Sequence, residues 1–204
     1  MKFRTYQGFK SVVNALIFLL LSGLCQAQAI SRDLLAEALQ DGGFVIVMRH
    51  ASSPRQAPDA TTANPDNVNR ERQLDETGRS DAITMGESLR RLMIPVETVL
   101  SSPTYRAIET ARLMGFTELT PSEELSNEGM QASSASKAAW LREQTAEATQ
   151  GGNHLLITHA PNMSAAFPEN SEGMTEGEAL IFDPRGTGGP VMIQRIKINE
   201  WANL

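Results

Sequence analysis

The feature that most limits how this chain can fold is the run Phe44-Val45-Ile46-Val47-Met48, five apolar residues with no polar alternation, followed at once by Arg49 and His50. A strand apolar at every position must be covered on both faces, which is the habit of a sheet lying between layers of helices. Leu155 to Thr158 is a second such strand, and it ends in His159. Shorter strand signals fall at Thr98 to Leu100, Ala179 to Phe182 and Val191 to Ile198, the last two joined by a glycine-rich turn at Gly186 to Gly189. Helical patterns lie between them. Ser31 is expected to cap a helix with Leu34, Leu35, Ala38 and Leu39 on one face, ended by Gly42 and Gly43. Gly78 to Met93 carries Ala82, Met85, Leu89 and Leu92 on one face, and Pro95 stops it. Ser101-Ser102-Pro103 is expected to open a helix running to about Met114, and a further helix is expected from Ala135 to Ala148.

Strands alternating with helices predict a three-layer α/β/α sandwich with a largely parallel central sheet. Such sheets hold ligands at the carboxyl ends of their strands. Arg49, His50 and His159 occupy that position on two strands, whereas His154, five residues before His159, points to the other face and is expected to be structural.

The amino-terminal segment has the order of a secretory signal, with Lys2, Arg4 and Lys10, then an apolar run from Ala15 to Leu21, then small residues. Ala27-Gln28-Ala29 places the expected cleavage after Ala29, leaving residues 1–29 as signal and 30–204 as one domain. The apolar run is shorter than the roughly 20 residues a membrane span needs, so no stable insertion is expected after cleavage. The expected location is the periplasm or the exterior. Cys25 is the one cysteine and would leave with the signal, so neither disulfide nor thiol chemistry is expected of the mature chain. Of 18 basic and 24 acidic residues, three basic ones leave with the signal; 15 against 24 gives a net charge of minus 9. A chain this acidic is not expected to bind nucleic acid.

Residues 51–72 form a loop with Pro54, Pro58 and Pro65, leaving directly from the candidate site. A second polar stretch, rich in acids, runs from Glu118 to Ser134.

Four separated motifs then stand in one order: Val47-Met48-Arg49-His50-Ala51; Arg72-Gln73-Leu74 with Thr77-Gly78-Arg79; Leu100-Ser101-Ser102-Pro103 with Arg106-Ala107 and Glu109-Thr110-Ala111; and Ile157-Thr158-His159. With these motifs the chain resembles the histidine phosphatase superfamily, also called phosphoglycerate mutase-like, over nearly the whole of residues 30–204. The resemblance implies that His50 is the nucleophile, that Arg49 and Arg106 bind phosphate, and that His159 is the second histidine of the pocket. It places Arg72 where small members keep another phosphate-contacting arginine. Ala51 departs from the usual glycine, and its methyl group is expected to tighten the turn without touching the chemistry. For the general acid, the register puts Asn127 where better known members have Glu, with Glu128 beside it and Glu123 and Glu124 just before. Glu128 is the expected donor, the alternatives being Glu124, Glu123 or an acidic loop that only faces solvent.

Residue chemistry agrees with these roles. Phosphoryl transfer asks for an in-line nucleophile and for positive charge on the equatorial oxygens. Neutral imidazole supplies the first, and arginine's planar fork suits the second better than lysine. Lys137 and Lys197 are the only lysines after the signal, and neither is near the motifs. No cluster of Cys, His and carboxylates has metal-ligand spacing, so neither metal nor cofactor is expected. The expected activity is hydrolysis of a small phosphate monoester, such as an envelope sugar phosphate, through a phosphohistidine on His50. The rival expectations are a phosphate-ligand binder without turnover and mutase-type phosphoryl transfer.

Overall fold

The computed structural model describes residues 31–127, 134–147 and 151–204. The expected signal and cleavage site, Cys25, Glu128 and the helix end at Ala148 lie outside the described residues.

Helix α1 (Arg32–Asp41) starts where Ser31 Oγ accepts from Leu34 N, and Gly42, at φ +75°, ends it. Leu34 does not share its buried face: it is 58% exposed, and Ala36 joins Leu35 and Leu39 in the core instead. β1 (Val45–Arg49) has Val45 to Met48 fully buried, as a run without alternation requires. α2 (Glu76–Arg91) begins two residues before Gly78 because Asp75 caps it, accepting from Gly78 N at 2.8 Å. β2 (Val96–Ser101) follows, then α3 (Tyr105–Leu113).

The helix expected to open at Ser101-Ser102-Pro103 begins later, at Tyr105, and its N-cap Thr104 makes no side-chain cap. The hydroxyls there are directed elsewhere, Ser101 Oγ to Ser102 O and Ser102 Oγ to Thr104 Oγ1. The acid-rich stretch contains the two-residue β3 (Thr120–Pro121) and a 3₁₀ turn at Glu123–Leu125. Next come α4 (Ser134–Thr145), β4 (Asn153–Thr158) and a short helix α5 (Ala160–Ala166) that starts immediately after His159. β5 (Ala179–Asp183), β6 (Val191–Ile196) and a 3₁₀ helix at Ile198–Asn203 complete the described chain.

The sheet has six strands in the order β3-β2-β4-β1-β5-β6. β1, β2, β3 and β4 pair in parallel, while β5 runs antiparallel to β1 and to β6. The fold is therefore α/β with a mostly parallel sheet and helices on both faces.

Residue alternation sorts the core into two halves. Ile46, Met48, Leu155 and Ile157 face α1, α2, α3 and Trp201, while Val45, Val47 and Leu156 face Leu141 of α4 and Met163 of α5. Each such buried side chain contributes roughly 1.5–3 kcal/mol of transfer free energy. Burial on both faces fixes the register, and register fixes the site. Arg49 pairs with Thr158 and Ser101 with Ile157, so β1, β4 and β2 end level. His154 pairs with Val45 at the opposite end of the sheet.

Candidate active site

Three strand ends meet at one edge of the sheet. The His50 amide donates to Thr158 O at 3.0 Å and the Ser102 amide to Ile157 O at 2.8 Å, so the chain leaves each strand already bound to its neighbour. His50 and His159, 3% and 2% exposed, face each other edge to face with ring centroids 5.2 Å apart. Arg106, on the first turn of α3, lies between them. Its Nε donates to His50 Nε2 at 3.3 Å and its Nη2 to His159 Nδ1 at 3.2 Å. Nη2 also reaches Asn127 Oδ1 at 3.1 Å.

Because a guanidinium can only donate and a carbonyl can only accept, these contacts assign both tautomers. His50 Nδ1 lies 2.8 Å from Ala51 O, so the proton sits on Nδ1 and the lone pair on Nε2. His159 accepts at Nδ1, so its proton sits on Nε2 and is donated to Ser102 Oγ at 2.8 Å. Thr104 Oγ1 lies 3.2 Å from Ser102 Oγ and 3.4 Å from His159 Nε2. The Ser102 hydroxyl of the expected helix start, with Thr104 Oγ1 beside it, thus orients an imidazole instead of capping α3, while Ser101 Oγ donates to Ser102 O.

Both rings are neutral in the free protein. Burial lowers His50 to about 3, opposed by its bond to the Ala51 carbonyl and reinforced by Arg106, Arg49 and Arg72. Burial and then Arg106 lower His159 to about 2. Ala51 is fully buried and its backbone is not left-handed, so glycine is not needed there; its amide donates to Thr110 Oγ1 at 3.1 Å.

Arg49, His50, Arg55, Arg72, Arg106, Asn127, His159 and Glu176 line one cleft of about 370 Å³. Arg49 donates from Nη2 to Glu176 Oε1 at 2.9 Å and from Nη1 to Met174 O at 3.1 Å. Its Nε is buried without an acceptor among the described residues. Arg72 lies on the same cleft, but two of its nitrogens hold the loop: Nε donates to Pro54 O at 2.7 Å and Nη2 to Ser53 O at 2.9 Å. Five of the six expected site residues are thus brought together, and Glu128 lies outside the described residues. Neither Glu123 nor Glu124 lines the cleft. Among the described residues no group of three or more His, Cys, Asp or Glu side chains could hold a metal ion.

The arrangement can present an unprotonated Nε2 to a phosphorus atom and surround the phosphoryl oxygens with guanidinium donors, which is what transfer to a nitrogen nucleophile requires. The family model of the histidine phosphatase superfamily, branch 1, matches residues 45–151, more than half of the chain. The protein belongs to this superfamily.

Among solved structures, this histidine phosphatase is similar to the protein histidine phosphatase SixA complexed with tungstate, at 20% identity and a TM-score of 0.56, covering 77% of this chain and 98% of that one. It is also similar to two structures of phosphoserine phosphatase from Entamoeba histolytica. The complex with 3-phosphoglyceric acid shows 13% identity, a TM-score of 0.54 and coverage of 74% and 95%. The complex of a mutant with phosphoserine shows 14% identity, a TM-score of 0.52 and coverage of 76% and 97%. At these identities the likeness is one of fold. Comparison with curated proteins gives no significant match.

Two charged residues of the cleft, Glu176 and Arg55, are not marked as site residues by the sequence. Glu176 arrives because β5 runs antiparallel to β1, which puts the residues just before β5 beside the end of β1. Gly177 N donates to His50 O and Arg49 N to Glu178 O, both at 3.0 Å. Gly177 sits at φ +76°, where a side chain would also meet Ile198, so glycine is required at this crossing. Strand direction carried this signal, and alternation in the sequence does not encode it.

Proposed function

We propose that this histidine phosphatase hydrolyses a small phosphate monoester by way of a phosphohistidine on His50, without a metal. The observation that carries the reading is the pair of contacts on one ring, Nδ1 bound to Ala51 O and Nε2 left unprotonated beside Arg106. In the first step Nε2 attacks phosphorus in line. The bond to the leaving oxygen breaks, its electron pair stays with that oxygen, and a carboxyl group gives the proton; Glu128, next to Asn127 in sequence, is the proposed donor. In the second step water attacks phosphorus, the N–P bond breaks with its electrons returning to Nε2, and the water proton passes to the carboxylate. Arg49, Arg72 and Arg106 hold the phosphoryl oxygens. A phosphate dianion offsets part of the arginine field around His159 and sets negative charge beside the ring, which favours a protonated ring able to donate to a phosphoryl oxygen.

The proposed site of action is outside the cytoplasm, on the basis of the basic-apolar-small order of residues 1–29, and an envelope sugar phosphate is the proposed substrate class. Purified protein assayed on phenyl phosphate tests the activity. Expected are turnover that resists chelators, inhibition by vanadate through its five-coordinate geometry, and no turnover by His50→Ala or Arg106→Ala. Binding of phosphate esters with no turnover would leave a binding protein on this fold, and loss of activity in chelator restored by one metal would contradict the mechanism.

A further inference from the structure

We propose that the rim of this cleft is a second anion subsite centred on Arg55, so that the substrate carries one further anionic group, a carboxylate or a second phosphate, beyond the phosphoryl group transferred. This rests on the phosphatase reading above and adds the class of substrate.

Of the described residues lining the cleft, Arg49, Arg55, Arg72 and Arg106 are cationic and Glu176 is the one carboxylate, while both histidines are neutral in the free protein. Four guanidinium groups against one carboxylate leave three positive charges. A phosphate dianion offsets two of them. One positive charge remains at the described walls of the cleft once the monoester is bound.

That charge sits on Arg55. Arg106 is engaged with His50 and Asn127, Arg49 with Glu176 and Met174 O, and Arg72 with the carbonyls of Ser53 and Pro54. Arg55 lines the cleft, is exposed, and makes no hydrogen bond or ion pair among the described residues. A fourth guanidinium set near three others is repelled by them in the free protein, and only an incoming anion offsets that repulsion.

Arg55 stands on a fixed base. The backbone just before it is pinned by the two Arg72 bonds, by Ser53 Oγ donating to Gln73 O at 3.0 Å, and by the Ser53 amide donating to Glu176 Oε2 at 3.3 Å. Arg72 therefore does two jobs, facing the cleft and holding the turn that presents Arg55. A pinned backbone lowers the ordering cost when the side chain closes on a ligand.

The test compares kcat/KM of the full protein on phenyl phosphate, 3-carboxyphenyl phosphate and 1,3-phenylene bisphosphate, for wild type, Arg55→Ala, Arg55→Lys and Arg55→Glu. The wild type is expected to prefer the two esters that carry a second anionic group. Arg55→Ala should reduce that preference about 2- to 5-fold, the scale of one solvent-facing ion pair. Arg55→Lys should retain part of it, and Arg55→Glu should invert it. Loss of preference for the bisphosphate alone identifies the further group as phosphate, and loss for both admits a carboxylate. No preference in the wild type, or one that Arg55→Ala leaves intact, overturns the subsite. If no ester is hydrolysed, the phosphatase reading fails, and calorimetric binding of the same three compounds still decides on the subsite by the same comparison.

Discussion

Arg49 and Glu176 are bound to each other at 2.9 Å within the cleft that holds His50. A carboxylate in a site built for phosphate competes for the same guanidinium, and it also keeps that guanidinium in place. Glu176→Gln removes the negative charge at nearly constant volume. Inorganic phosphate should then inhibit more tightly, by about 3- to 10-fold, because one like charge no longer opposes the anion. At the same time kcat should fall, since Arg49 loses its charged anchor. Inhibition constants and kcat measured on one ester read both effects, and weaker phosphate inhibition would contradict this account of Glu176.

The two site histidines predict a particular loss of stability in acid. Unfolded, each takes up a proton near pH 6.5; folded, His50 does so near 3 and His159 near 2. Between these values the unfolded chain binds more protons than the folded one, so stability falls as pH drops through the window and is independent of these groups above it. A His50→Gln/His159→Gln protein should therefore show a flatter fall in urea midpoint from about pH 6.5 down to 4. An unchanged slope would mean that the rings are protonated in the folded protein.

Much of this site was legible in the sequence because it stands on strand ends. Unalternated apolar runs announced β1 and β4, and the residues that follow each run had to emerge at the same edge of a parallel sheet. The 51–72 loop was legible from its prolines, but its organisation was not. Buried Glu109, on α3, accepts from Asn64 Nδ2 at 2.9 Å and from Leu74 N at 3.0 Å and pairs with Arg79, drawing the middle of the loop and the segment that follows it to one carboxylate. Nothing in local periodicity marks a contact 45 residues away. Leu34 and the Ser102 hydroxyl misled for related reasons: propensity describes one helix, while the choice of buried face and of hydrogen-bond partner is made by the rest of the fold.

Gly86 offers a test of the packing that supports Arg106. It lies in the middle of α2, where a methyl group would run into the Met114 carbonyl at the end of α3. Helix propensity alone favours Ala over Gly by about 1 kcal/mol. The clash is with backbone, which cannot rotate away, and overpacking costs about 1–3 kcal/mol. Gly86→Ala should therefore be destabilised on balance, with reduced activity because α3 carries Arg106. A stabilised variant in thermal melts would show that the two helices are free to move apart.

The central claim is that His50 carries the phosphoryl group. Brief mixing with a ³²P-labelled aryl phosphate followed by a denaturing quench tests it most directly. The account predicts protein-bound label that survives alkali and is lost in acid, maps to the peptide containing His50, and is absent from His50→Ala. His159→Ala should still label, with turnover lower by about 10²- to 10⁴-fold, the range for removing one preorganised donor or acid-base group. Label that is stable in acid, or that appears on His159 when His50 is replaced, would contradict it.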